Sequence, residues 1–217
     1  MENKIKVLNL YACLGGNRYK WDEVANIEVT AVEWDEELAK LYQERFPNDK
    51  VIVTDAHQYL LDHYKEFDFI WSSPPCPSHS RARFARKNTT SAIYPDLKLY
   101  EEVIFLDNYF DGKYCVENVI PYYDPLIPAK KRGRHLYWSN FNLPSDLNER
   151  SSSIMESKDE VNKWCEFHDY DFRQYKGTQR LDKIARNLVD YEAGKTIFET
   201  YLGIEKKSII NQVSIFD

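Results

Sequence analysis

Ile5-Lys6-Val7-Leu8-Asn9-Leu10-Tyr11-Ala12-Cys13-Leu14-Gly15-Gly16 begins as an apolar run of strand length and ends in two adjacent glycines. Glycine lets backbone turn tightly and come close to another group, so this is how a first strand would deliver the chain to a ligand at a sheet edge. Taken alone, a Gly-Gly turn suits a plain structural turn as well as a cofactor loop. The strands and strand ends further along the chain discriminate between the two.

Further apolar runs of strand length recur at Val29 to Val32, Val51 to Val53, Phe67 to Trp71 and Tyr114 to Val116, with helical patterns between several of them. In Asp35 to Phe46, Leu38, Leu41, Tyr42 and Arg45 share one face, and Pro47 stops the run. Leu97 to Phe110 places Leu99, Val103, Leu106 and Phe110 at helical spacing. The alternation predicts an α/β fold with a mostly parallel sheet, helices on both faces, and ligands beyond the carboxyl ends of the strands. From Asn142 to about Gly177 the pattern dissolves into Ser, Asp, Glu and Lys, with Ser151-Ser152-Ser153 expected as a loop. A final helix is expected over Leu181 to Leu202. The implied organisation is a core over 1–141, a less regular segment over 142–178 and a returning C-terminal helix over 179–217.

A chain of 217 residues with 43% hydrophobic content can bury a substantial core. No stretch approaches the ~20 consecutive apolar residues of a membrane span, and Met-Glu-Asn-Lys does not begin a signal peptide. A cytoplasmic or nucleoid-associated protein is expected, with no membrane partner. The four cysteines, Cys13, Cys76, Cys115 and Cys165, show no CxxC pair and no metal-ligand spacing, so no metal is expected. A net charge of −6 argues against a protein that coats nucleic acid. Local basic runs do occur: Arg81, Arg83, Arg86 and Lys87; Lys130, Lys131, Arg132, Arg134 and His135; and Arg173, Lys176, Arg180, Lys183 and Arg186. Each is either a solvated face or a set of phosphate contacts.

The strand ends carry the chemistry. The second strand ends in Glu33-Trp34-Asp35, with Glu33 18 positions after Gly15, near the ~20 of a ribose-binding carboxylate. The third ends at Asp55, which suits the amino group of a nucleoside cofactor, the N-cap of a helix over His57 to Tyr64, or both. Directly after the fourth strand comes Ser72-Ser73-Pro74-Pro75-Cys76-Pro77-Ser78-His79-Ser80. Two prolines stiffen the backbone before Cys76, and Arg81 and Arg83 are expected to favour its thiolate. The other three cysteines read as small buried hydrophobes. Tyr114-Cys115-Val116-Glu117-Asn118-Val119 then brings a carboxylate and an amide to the same edge, and Lys130-Lys131-Arg132-Gly133-Arg134 precedes a further apolar strand at His135 to Trp138.

These motifs, in this order, resemble those of the DNA (cytosine-5) methyltransferase family. Tyr11 to Gly16 is similar to its cofactor loop, Glu33-Trp34 and Asp55 to its next two cofactor contacts, and Pro74-Pro75-Cys76 with Ser80 to its nucleophile motif. Glu117-Asn118-Val119 matches Glu-Asn-Val, Arg132-x-Arg134 matches Arg-x-Arg, and Asn187-Leu188-Val189 resembles the C-terminal Asn-Ser-Val that returns to the cofactor, here taken to open the last helix. Cys13 stands where the family usually has glycine, Pro77 and His79 where it has Gln and Phe, Lys130 where Gln is usual, and Arg186 where glycine precedes the final Asn.

The resemblance implies a Rossmann-like fold that binds S-adenosyl-L-methionine through Tyr11, Leu14, Gly15, Gly16, Glu33, Trp34, Asp55, Ala56, Pro75 and Asn187. It implies DNA as substrate and methyl transfer to cytosine C5 in a restriction-modification setting. Cys76 would attack C6, Glu117 act at N3 and Arg134 at O2, with Arg132, Asn118 and Ser80 completing the catalytic set. The base would be flipped into the pocket, and Arg81, Arg83, Arg86 and Lys87 would meet phosphates. Residues 142–178 would then be a reduced target-recognition segment of about 35 residues, with Asn148, Arg150, Asn162, Arg173 and Gln174 as candidate base-reading groups. So short a segment implies a site on the order of two to four base pairs. It leaves open transfer RNA as substrate, a non-catalytic subunit of the same fold, and a second protein chain that supplies specificity.

Overall fold

The computed structural model describes residues 4–144, 147 and 159–204. Seven strands form one sheet in the order β3-β2-β1-β4-β5-β7-β6: β1 (Ile5–Leu10), β2 (Ile27–Glu33), β3 (Lys50–Val53), β4 (Phe69–Ser72), β5 (Lys113–Val119), β6 (Lys130–Arg132) and β7 (His135–Ser139). The first five are parallel, whereas β7 runs antiparallel to both β5 and β6. Strand order reverses between β1 and β4, which opens a crevice beyond their carboxyl ends.

Successive side chains of the central strands enter opposite cores. Leu8, Leu10, Ile70, Val116, Leu136 and Trp138 pack with α2 (Ala56–His63) and α4 (Lys98–Tyr109) through Leu60, Leu99, Val103 and Leu106. Their neighbours Val7, Phe69, Trp71, Cys115 and Tyr137 pack on the other face with Trp21, Ile197 and Phe198. Burial on both faces is why these strands read as continuous apolar runs. The expected helix after β2 is α1 (Glu36–Arg45), capped by Asp35, which accepts from the Glu37 and Leu38 amides. Asp55 caps α2 by accepting from Gln58.

One expectation is corrected. The single helix over Leu181 to Leu202 is two: α6 (Leu181–Asn187) and α7 (Tyr191–Tyr201). Leu188 turns extended, and the Asp190 carboxylate accepts from Glu192 and Ala193, so a new N-cap interrupts the apolar periodicity. Asn187 therefore closes α6 and does not open the last helix. The second half of the undecoded stretch is also folded. It holds α5 (Glu160–Phe167) and a short 3-10 turn at Phe172–Gln174, and buries Trp164, Cys165, Phe172 and Tyr175 against Cys13, Leu14, Leu38, Leu41, Ile184 and Leu188. These residues share one core with α6 across the boundary expected at 178. Ser151-Ser152-Ser153, Asn148 and Arg150 lie outside the described residues.

Among the described residues no helix is long and apolar enough to cross a membrane, and no group of three His, Cys, Asp or Glu could hold a metal ion.

Candidate active site

The loop after β1 is built under conformational constraint. Tyr11 (φ 55°), Cys13 (φ 47°) and Gly15 (φ 67°) all occupy the left-handed region, which L side chains enter at a cost. Cys13 thus occupies backbone that suits the glycine it replaces in the resembled family. A Cβ on Gly15 would lie 2.5 Å from the Phe46 ring, and one on Gly16 would lie 2.5 Å from the Val189 carbonyl. Both glycines are demanded by packing within the chain, and Gly16 is where the segment between α6 and α7 meets the loop.

Glu33 is buried at the end of β2, and its carboxylate is surrounded by amides. Oε2 accepts from Cys13 N at 2.8 Å, and Oε1 accepts from Trp34 N and Asp35 N, both at 3.0 Å. Burial raises its pKa against the lowering effect of these donors. Tyr11 donates to Glu102 Oε1 at 2.5 Å, Ser72 donates to Glu102 Oε2 at 2.6 Å, and His57 Nδ1 lies 3.0 Å from Oε1. Glu102, buried within α4, thereby joins the ends of β1 and β4 to α2.

Between these elements lies a solvent-open cleft, lined by Tyr11, Val32, Trp34, Thr54, Asp55, Ala56, Pro74, Pro75, His79, Asp96, Lys98 and Leu99. The Trp34 side of the cleft is open, since that residue is 70% exposed. Asp55 offers a carboxylate whose pKa is lowered by the Gln58 amide, and Lys98 Nζ stands 3.7 Å from it. Of the cofactor residues expected from sequence, Tyr11, Trp34, Asp55, Ala56 and Pro75 line this cleft. Glu33 lies beneath it, Leu14 is buried with its carbonyl on Arg45, and Asn187 is exposed at the end of α6.

The Cys76 turn follows β4 and is clamped to the exit of β5. Asn118 Nδ2 donates to the Pro74 carbonyl at 2.9 Å, Tyr122 N donates to the His79 carbonyl at 3.0 Å, and Ser80 bridges Pro121. Within the turn, the His79 and Ser80 amides both donate to the Cys76 carbonyl. Ser80 then caps α3 (Arg81–Ala85) by accepting from Ala82. The Cys76 thiol is pushed up to about 11, first by burial, then by the Glu117 carboxylate, with Lys183 opposing. The expected help from Arg81 and Arg83 is absent. Arg81 donates to the Pro121 carbonyl and Arg83 to the Ser91 carbonyl, and the cation acting on the thiol comes instead from α6. Glu117 itself is buried beside His135, whose Nε2 is 3.4 Å away.

The two arginines after β5 part company. Arg132 is engaged by the backbone, donating to the Pro144, Leu143 and Lys131 carbonyls. Arg134 is exposed beside the left-handed Gly133 at the β6–β7 turn. Arg86 donates to the Ala82 carbonyl, and Lys87 lies over the Phe84 ring, which stacks on Tyr122. Of the residues expected from sequence to read bases, Arg173 is held by Asp171 and Asn162, and Gln174 bonds Tyr170. Sequence reasoning missed Glu102, His57 and Lys183. For Glu102 a signal existed: it falls on the Leu99-Val103-Leu106 face of α4, where a carboxylate needs a partner.

A family model of the C-5 cytosine-specific DNA methylases matches residues 5–104. This bears out the motif resemblance over the first four strands, the cleft and the Cys76 turn. The Type II methyltransferase M.Bsp6I of Bacillus sp. (strain RFL6) is 29% identical over 113 residues, covering 48% of this chain and 36% of that protein. The chain thus matches about a third of the length of that relative. Among solved structures, the SAM-dependent methyltransferase from Agrobacterium tumefaciens aligns with TM-score 0.39 and 16% identity over 55% of this chain and 40% of its own. The PH0226 protein from Pyrococcus horikoshii OT3 aligns with TM-score 0.38 and 21% identity over 55% and 51%.

Proposed function

We propose that this chain transfers a methyl group from S-adenosylmethionine to C5 of cytosine in DNA, with Cys76 as the nucleophile. The observation that carries the reading is the convergence of a half-buried cysteine, on a turn held by Asn118, with a buried glutamate at the end of β5, beside an open cleft. Residues 5–104 resemble the cytosine-5 methylases over the parts that build this arrangement.

The cleft suits the cofactor chemically. Trp34, Val32, Pro75 and Leu99 offer apolar surface to a purine, Asp55 accepts from an exocyclic amino group, and the start of α2 directs amides at the same place. When bound there, S-adenosylmethionine supplies the electrophilic methyl group. Glu33 acts first on the protein, because it holds Cys13, Trp34 and Asp35 in position around the cleft floor.

Cytosine C5 is a poor nucleophile until electron density is pushed into the ring. Cys76 gives up its proton to solvent and its sulfur forms a bond to C6, while the C5–C6 π pair moves into the ring toward C5 and N3. Glu117 delivers or shares a proton at N3, a role that suits a carboxyl held in a buried site, and Arg134 holds O2 through its paired donors. After C5 has gained the methyl group and lost its proton, the sulfur–C6 bond breaks and Cys76 is restored. The ring faces involved are stacked in a duplex, so the base is flipped, with Arg81, Arg83, Arg86 and Lys87 near the backbone.

Among the described residues, the candidate base-reading groups Arg173, Asn162 and Gln174 are all engaged within the chain. This favours a short recognition sequence or a second chain that supplies specificity. The test is to incubate the purified protein with labelled cofactor and random-sequence DNA, read modified cytosines by bisulfite sequencing, and trap the adduct on 5-fluorocytosine DNA. Methylated cytosine with the adduct on Cys76 supports the proposal. An adduct on another cysteine, or transfer only to transfer RNA, overturns it.

A further inference from the structure

His79 occupies a position where the resembled family commonly has phenylalanine, and its imidazole is only 1% exposed. Nδ1 lies 2.5 Å from the Tyr123 hydroxyl, whereas Nε2 is buried without a hydrogen-bond partner. The residue lines the cleft together with Pro75, Asp55, Asp96 and Lys98. A polar nitrogen left unpaired costs stability, so an imidazole in place of a phenyl ring calls for a use.

The hydrogen-bond chain behind His79 fixes which nitrogen carries the proton. The Leu126 amide can only donate, and it does so to the Tyr100 hydroxyl at 3.3 Å. Tyr100 then directs its own hydrogen to the Tyr123 oxygen, 3.5 Å away, and Tyr123 donates to Nδ1. The reverse order would leave the Tyr100 hydrogen without an acceptor as well as Nε2 unmet. The favoured order puts the ring proton on Nε2, which becomes a donor. Burial lowers the His79 pKa, which keeps the ring neutral and the tautomer meaningful near pH 7. The Asp96 backbone and carboxylate both act on the ring and favour its protonated form, yet neither meets Nε2 in hydrogen-bond geometry.

We propose that His79 is a cofactor-binding residue whose Nε2–H donates to a neutral acceptor on the nucleoside half of S-adenosylmethionine, an inference that rests on the function proposed above. The nucleoside half is chosen because Asp55 and Asp96 outnumber Lys98 in this part of the cleft, and Lys98 is already 3.7 Å from Asp55, so a ligand carboxylate is disfavoured there.

Calorimetric titration of the full chain with S-adenosylhomocysteine and with 5′-methylthioadenosine, which lacks the amino-acid group, tests it. His79→Phe is expected to weaken both ligands by a similar factor, roughly fivefold to tenfold for one neutral hydrogen bond. His79→Gln, whose amide nitrogen falls near the Nε2 position, should recover most of the loss. Tyr123→Phe keeps the ring but frees the tautomer, so it should weaken binding in the same direction by less. Melting curves identify any variant that fails to fold, and the Gln and Tyr123 variants then carry the test. Unchanged affinity in His79→Phe overturns the proposal, a loss confined to S-adenosylhomocysteine overturns the nucleoside assignment, and unchanged affinity in Tyr123→Phe overturns the relay. Failure of the unaltered chain to bind either ligand would instead overturn the methyltransferase reading.

Discussion

The Asn118 amide donates to the Pro74 carbonyl across 2.9 Å, so the end of β5 holds the turn that carries Cys76. Asn118 also accepts from the Val119 amide at 2.9 Å, which fixes its orientation and leaves its nitrogen aimed at Pro74. Pro74 lies beyond Ser72, the last paired residue of β4, so its carbonyl has no ladder partner, and this contact supplies one.

Asn118→Ala would leave the Pro74 carbonyl unpaired in a buried setting, at about 1–3 kcal/mol. A chain of this size should lose roughly 2–4 °C of melting temperature per kcal/mol. Methyl transfer should fall much further than stability, because the Cys76 turn loses its tether, while affinity for S-adenosylhomocysteine stays near that of the unaltered chain. Turnover that declines only in step with the folded fraction would show Asn118 to be structural alone.

The Cys76 thiol sits up to about 11, so the resting protein holds it protonated at neutral pH. For an acid whose pKa is raised, the reactive thiolate is scarce below that value and grows tenfold with each pH unit. Alkylation of Cys76 by iodoacetamide, followed by peptide mass spectrometry, should therefore climb steadily from pH 7 toward pH 10. Lys183→Met removes the opposing cation and should slow alkylation at every pH in that range. A rate already flat at pH 7 would contradict this account.

Much of this site is legible in the sequence, because its parts lie at ends of strands that are apolar on both faces. Val7 and Leu8 enter opposite cores, as do Ile70 and Trp71, so these strands read as unbroken hydrophobic runs and their ends as abrupt changes to Glu33, Asp55 and Cys76. Local signals suffice there. They fail where a role depends on distant partners. The spacing of Glu33 suggests a ribose ligand but does not show that its carboxylate also meets three amides, one of them 20 residues away. The glycine pair reads as a ligand approach, yet the contacts that require it are with Phe46 and Val189. Trp164 and Phe172 carry no clear period because α5 is short and its neighbour is a single 3-10 turn, so tertiary burial, not propensity, orders them. The break between α6 and α7 is hidden because Leu188 continues the apolar pattern while Asp190 caps a new helix.

The amides around Glu33 change what its removal should do. Glu33→Ala would release the Cys13 amide and the Trp34-Asp35 corner together, so both the cleft and the fold should suffer. Charged acceptors contribute about 1.5–3 kcal/mol per hydrogen bond, and solvation of the freed amides will return part of that. Calorimetry should register weaker S-adenosylhomocysteine binding, and denaturant titration a loss on the order of 2 kcal/mol. Weaker binding at unchanged stability would assign Glu33 to the ligand alone, and lost stability at unchanged binding would assign it to the scaffold alone.

His57 offers the last test, since it joins the buried Glu102 carboxylate to the surface of α2. Its Nδ1 lies 3.0 Å from Glu102 and its Nε2 lies 3.3 Å from Glu101. The hydrogen bond to Glu102 raises the His57 pKa above its ordinary value, against burial and the nearby Lys98. A histidine whose folded pKa is raised contributes stability that is fully present below its unfolded pKa, about 6.5, and is lost as pH rises through the folded value. The stability gap between the unaltered chain and His57→Gln should therefore be widest near pH 5.5 and should narrow as the solution becomes alkaline. Because Glu102 also accepts from Tyr11 at the cleft, the affinity for S-adenosylhomocysteine should follow the same pH trend in the unaltered chain and lose it in His57→Gln. Urea denaturation and calorimetry at matched ionic strength across this range supply both curves. A gap that widened with rising pH would show that the imidazole acts as a neutral partner of Glu102 and not as its counter-ion.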